Sequence, residues 1–206
     1  MPNSRSQENR PWANVDPVQV MNWLDKAQAP WWIAGGWAIA LLCDGDGHGR
    51  THSDMDIGCF RDDAQTLLAS FAGWQFFEAM GGTLRALPLD QAINPNANSV
   101  WCRPNRESHW TVEVLLDDRK DDHWLYRRNH RITRRVCDLT WQTRLGPKVL
   151  RPEVQLLYKA TAMRQKDIQD FKRALPCLNE QARAWLRQAL KQTYPGHPWS
   201  HEISVQ

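Results

Sequence analysis

Hydrophobic positions recur first at helical spacing. Val18, Met21 and Leu24 follow Asp16-Pro17, a cap and first-turn pair, and predict an amphipathic helix with Trp23 at the border of its stripe. Two apolar runs, residues 31–34 and 55–60, are too short for helices and predict buried strands. Between them Gly35-Gly36-Trp37 marks a turn into a short apolar helix. Asp62 or Asp63 is placed to cap a helix that turns Leu67, Leu68 and Phe71 inward. A strand-rich middle follows, broken at Gly81-Gly82 and Asn94-Pro95, with residues 110–116 the clearest strand. Beyond Arg151 helical spacing returns over residues 152–163, 166–174 and 179–193, the last with Trp185, Leu186, Ala189 and Leu190 inward. The pattern predicts a disordered tail at 1–14, a small mixed sheet with flanking helices at 15–150, and a helical part at 151–206.

Composition narrows the classes without choosing one. The chain has 206 residues, 24% charged and 42% hydrophobic, with a formal net charge of +3. That charge is too small to argue for nucleic acid by itself. No run approaches the roughly 18 apolar residues of a membrane helix, and the first residues lack the apolar core of a secretion signal. Five cysteines without any Cys-x-x-Cys pair read as reduced thiols of a cytoplasmic protein. Most of the twelve tryptophans are expected in the core or in pocket walls.

The chemistry concentrates between Trp31 and Ile57. Asp54 and Asp56, two apart on a strand, share a face and are placed to hold one hard cation. Gly35 and Gly36 let backbone amides approach a phosphate, and the start of the following helix adds partial positive charge. Amides for phosphate and carboxylates for magnesium describe a nucleoside triphosphate site. Asp44-Gly-Asp-Gly-His suggests calcium, but position twelve of such a loop is Met55 where glutamate is required.

Trp32, Gly35, Gly36, Trp37, Ala38 and Ile39, then His52, Asp54, Asp56 and Ile57, resemble a segment of the antibiotic nucleotidyltransferases. These belong to the DNA polymerase beta-like superfamily; the likeness is to aminoglycoside 2''-adenylyltransferases and lincosamide nucleotidyltransferases. Pro152 to Lys159, followed by Lys166-Asp167 and Asp170-Phe171, extends it. An apparent insertion, Asp44 to Gly49, departs from the pattern and leaves the loop geometry open. The resemblance implies an α+β, polymerase beta-like fold with a helical C-terminal part. It implies transfer of NMP, AMP from ATP first, to a hydroxyl of an aminoglycoside- or lincosamide-like compound, with Mg²⁺ as cofactor and release of pyrophosphate. Asp54 and Asp56 then hold the metal, and a third carboxylate belongs on a neighbouring strand. Glu113 is the candidate, because Val112 and Val114 face the other way. It would act as metal ligand or general base; Asp117 and Asp118 compete but read as turn residues.

Gly35, Gly36, Trp37, Arg50 and Lys159 complete the expected nucleotide-binding set. Arg50 suits bidentate phosphate contact, and Lys159 suits a point charge near the triphosphate. His52 reads rather as a loop residue. The basic run Arg127 to Arg135 reads as an exposed strand paired with the acids of Asp117 to Asp122, or else as an RNA surface. The same acids are the available walls for a cationic antibiotic. Two alternatives stay open: a toxin-type enzyme that nucleotidylates RNA or protein, and an inactive nucleotide-binding module.

Overall fold

The computed structural model describes residues 10–44, 52–144 and 146–205. Helix α1 (Pro17–Trp23) leads through strand β1 (Trp31–Ile33) to helix α2 (Gly35–Asp44). Strand β2 (Asp56–Phe60) and helix α3 (Ala64–Ala69) precede strands β3 (Gln75–Met80), β4 (Thr83–Ala86), β5 (Ser99–Arg103) and β6 (Val112–Lys120). Four short strands follow: β7 (His123–Leu125), β8 (Thr133–Arg135), β9 (Thr140–Gln142) and β10 (Lys148–Leu150). Helices α4 (Pro152–Lys159), α5 (Gln165–Ala174), α6 (Glu180–Thr193) and α7 (Pro198–Val205) end the chain. The expected α+β class is met. Among the described residues no helix is long and apolar enough to cross a membrane.

The chain divides into two compact units, one of residues up to 33 with 52–118, the other of 34–44 with residues from 119 on. This departs from the expected boundary at 150. Helix α2 packs with α4 and α5, so helix packing rather than the change in sequence texture sets the division.

In the first unit the strands run in the order β4-β3-β5-β6-β2-β1. Strands β2 and β6 are parallel, and the other pairs are antiparallel. One face is apolar and buried through Ile33, Ile57, Val100, Val112 and Val114, with Leu67, Leu68 and Phe71 from the α3 region also buried. The β3–β4 hairpin turns on Gly81 and Gly82, at φ +57° and +77°, the two positive dihedrals that a two-residue hairpin loop favours. In α1 the inward side is Pro17, Val20 and Leu24, whereas Val18 is 52% exposed. The expected stripe was therefore rotated, because the helix is short and the Asp16–Gln19 capping box fixes its start. Asp63 stands before α3 without a side-chain cap bond, since a one-turn 3-10 segment, Arg61–Asp63, replaces the cap.

Residues 1–9 of the expected tail lie outside the described residues, but residues 11–13 are ordered. The Ala13 amide donates to the Trp110 carbonyl (2.7 Å), and the Trp110 amide donates to Pro11 (3.1 Å). Trp12 packs edge-on against Trp101 at 4.9 Å. Aromatic burial outweighs the polar composition there.

Gly58 of β2 lies opposite Trp32 of β1. A Cβ at Gly58 would fall 2.0 Å from Trp32 Nε1. Trp32 is itself buried and packs edge-on against Phe60 at 5.0 Å. Gly58→Ala is therefore expected to destabilise the fold by about 1–3 kcal/mol, read by urea denaturation. Unchanged stability would show that the indole moves aside without cost.

In the second unit Phe171 of α5 stacks on Trp199 of α7 at 4.3 Å, and His197 Nε2 lies 3.0 Å from the Ala160 carbonyl. The basic run is largely committed inside this unit. Arg134 donates to Glu153 Oε1 (2.6 Å) and lies over the Trp185 ring at 4.5 Å, and Arg128 covers Tyr158 at 5.6 Å. Arg135 reaches Asp122 at 3.6 Å, a pairing of basic with acidic run of the kind expected.

Candidate active site

Alternation places the carboxylates. Met55 and Ile57 are fully buried, while Asp54 and Asp56, which alternate with them, are half-buried, so the two aspartates emerge on the other side of the segment. Asp54 sits just before β2 and accepts from Ser53 Oγ at 3.3 Å. Glu113 on β6 is the direct register partner of Asp56, and its amide donates to the Met55 carbonyl at 2.8 Å. Partner residues on neighbouring strands about 4.8 Å apart share a face. The structure therefore brings Asp56 and Glu113 side by side, with Asp54 two residues away. Ser99 Oγ, buried on β5, donates to Glu113 Oε1 at 2.6 Å. Sequence reasoning missed Ser99, which carries no motif of its own.

Asp117 and Asp118 are not turn residues; both belong to β6. Asp117 is in register with Phe60, four residues along β2 from Asp56, and Asp118 holds Arg61 Nε at 2.8 Å. Arg50 lies outside the described residues, and His52 is buried.

The second unit holds the remaining candidates. Gly35 has φ +62°, a left-handed value that favours glycine. Its amide donates to the buried Gln155 Oε1 at 2.7 Å, so the second sequence block clamps the turn of the first. The dihedral demand falls on Gly35, since Gly36 is not among the positive-φ glycines. Trp37 is buried, 6% exposed, and little of it remains to meet a nucleobase. Lys159 does not project as a mobile charge. It is 7% exposed, with Nζ 2.8 Å from Asp170 and 3.4 Å from Asp167, both deeply buried. Asp167 also accepts the Arg164 amide and guanidinium at the start of α5.

Like charges on adjacent strands repel unless a cation or proton offsets them. Among the described residues no three His, Cys, Asp or Glu side chains form a ready-made metal cage. Magnesium does not require one, because it is held by one or two carboxylates together with substrate phosphates. The Asp56–Glu113 pair, with Asp54 beside it, fits that requirement.

Residues 17–81 match the model of the aminoglycoside-2''-adenylyltransferase family, a span with the glycine turn and both aspartates. A crystal structure of ANT(2")-Ia in complex with adenylyl-2"-tobramycin is similar at 16% identity and a TM-score of 0.53, covering 85% of this chain and 95% of that one. The chain shares the fold of ANT(2")-Ia. A solution structure of the antibiotic-resistance factor ANT(2'')-Ia is also similar, at 14% identity and a TM-score of 0.52, covering 92% and 95%. No curated protein sequence matches the chain. Within this nucleotidyltransferase fold, Glu113 and the Pro152 block lie beyond the matched residues 17–81.

Proposed function

We propose that the protein transfers a nucleoside monophosphate, AMP from ATP first, to a hydroxyl of a small molecule and releases pyrophosphate. The observation that carries this reading is the register pairing of Asp56 with Glu113, with Asp54 alongside. Asp54 and Asp56 would hold Mg²⁺ on the triphosphate. That ion supplies neutralisation of the charge that develops around the transferred phosphorus. Glu113, in register with Asp56 and bonded by Ser99, would take the acceptor's proton as general base. The solved neighbour with adenylylated tobramycin supports an antibiotic-type acceptor. The alternative of an RNA-nucleotidylating toxin loses support, because Arg134 and Arg128 are engaged with aromatic rings and Glu153.

Incubation with α-labelled ATP and Mg²⁺ against antibiotics, bulk tRNA and cell protein tests the proposal. Label on a small molecule, abolished by EDTA, is the expected result; label on RNA or protein alone would overturn it. Glu113→Gln is expected to keep ATP affinity and to lower turnover by roughly 10² or more. Loss of ATP·Mg²⁺ binding together with turnover would make Glu113 a metal ligand instead.

Ser99 adds a sharper test. A hydrogen bond donated to a charged carboxylate favours the charged form, so its removal raises the carboxyl's pKa. Ser99→Ala is expected to move the acidic limb of the pH–rate profile upward. Ser99→Thr should restore the limb. An unmoved profile would leave Ser99 a packing residue.

A further inference from the structure

Glu113 lines an open cleft of about 320 Å³ in the first unit, together with Trp101, Ser99, Asn98, Gly81 and Gly82 among others. That volume is near the low end for small-molecule sites and suits a compound of one or two rings. Trp101 is the register partner of Glu113 and shares its face of the sheet. Its ring is fixed edge-on by Trp12 at 4.9 Å and Trp110 at 5.4 Å, so the wall it forms is rigid. The Gly81-Gly82 turn leaves open space where side chains would stand. A hydroxylated ring packed on Trp101 would thus lie beside the proposed base.

Charge decides which rings fit. Among the described residues that line the cleft, Glu113 is the sole ionisable group. Two members of the acidic run that could have walled a polycation are paired: Asp118 with Arg61 at 2.8 Å, and Asp122 with His123 at 2.7 Å and Arg135 at 3.6 Å. The charges of Asp54 and Asp56 are offset by the metal in the reading above.

We infer that the acceptor is a hydroxylated ring compound with no more than one positive charge, held by packing on Trp101 rather than by an acidic cleft. This rests on the nucleotidyltransferase reading but differs from the polycationic acceptor seen in the structural neighbour. Pyrophosphate release with ATP·Mg²⁺ is measured against tobramycin (a polycation), lincomycin (one basic amine) and fully N-acetylated tobramycin (no amine charge). At least one low-charge compound is expected to exceed tobramycin in kcat/KM by tenfold or more, with a KM insensitive to added salt. Trp101→Ala is expected to raise that KM tenfold or more while ATP·Mg²⁺ affinity stays unchanged. Tobramycin turned over as well as the low-charge compounds would overturn the inference. So would an unchanged KM in Trp101→Ala, or ATP·Mg²⁺ binding without transfer to either low-charge compound. Failure to bind ATP·Mg²⁺ at all would instead reject the underlying function.

Discussion

Asp56→Asn is expected to yield a folded protein without measurable nucleotidyl transfer. The substitution keeps the shape of a half-buried side chain at the first residue of β2 and removes one of two like charges in direct register. Folding stability should therefore hold or rise slightly, since relief of repulsion offsets any lost hydrogen bonding. Activity should respond in the opposite way. Metal stabilisation of transferring phosphate is worth several kcal/mol, a factor on the order of 10³ or more in rate. The decisive measurement pairs two readouts, transfer to acceptor and the rise in Tm on adding ATP with Mg²⁺. Both should vanish in Asp56→Asn, and in Asp54→Asn, while Tm without ligand stays near wild type. Retained turnover in either variant would remove the carboxylates from the chemistry.

Lys159→Met is expected to damage stability rather than nucleotide binding. Its ammonium sits between two almost fully buried carboxylates, Asp167 and Asp170. Breaking such a buried arrangement by removing one partner costs about 3–5 kcal/mol. Urea denaturation should show a loss of that order, with ATP affinity of the folded fraction unchanged. A weakened ATP affinity at native stability would return Lys159 to the nucleotide site. Acid adds a second readout. Burial pushes the Asp167 carboxyl up, but Arg164 and the Lys159 ammonium outweigh it and hold the group below its ordinary range. A depressed carboxylate contributes stability above its unfolded value, near pH 4, and loses it as pH falls through the folded value. That acid-side loss should be shallower in Lys159→Met, because part of the depression is gone.

What could be read from residues alone was local and periodic. Asp54-Met55-Asp56-Ile57 alternates in burial as two-residue periodicity requires, and Glu113 stands out between Val112 and Val114 for the same reason. The α+β class and the helical end followed from a change of period near Arg151. Pairings across long sequence distances were invisible. Gln155 meets Gly35 across 120 residues, and Lys159, read as a point charge near the triphosphate, sits buried between Asp167 and Asp170. Trp12 sat in a polar stretch whose composition says nothing of Trp101. Helix α7 escaped because only Trp199 and Ile203 of its apolar side chains are known to be buried, too few for a periodic signal.

The clamp on the glycine turn also dictates an order of events during synthesis. Helix α2 buries Trp37, Ala38, Ile39, Ala40 and Leu41, yet Gln155 and Arg173, which hold its two ends, emerge 120 and 129 residues after the positions they contact. At about 5–20 residues per second, the ribosome leaves this apolar helix without its C-terminal partners for on the order of ten seconds. A nascent chain stopped before residue 155 carries the greasy helix and none of the helices that cover it. Chaperone demand should therefore peak late in translation, and fragments cut near residue 150 should aggregate rather than fold as a separate N-terminal domain.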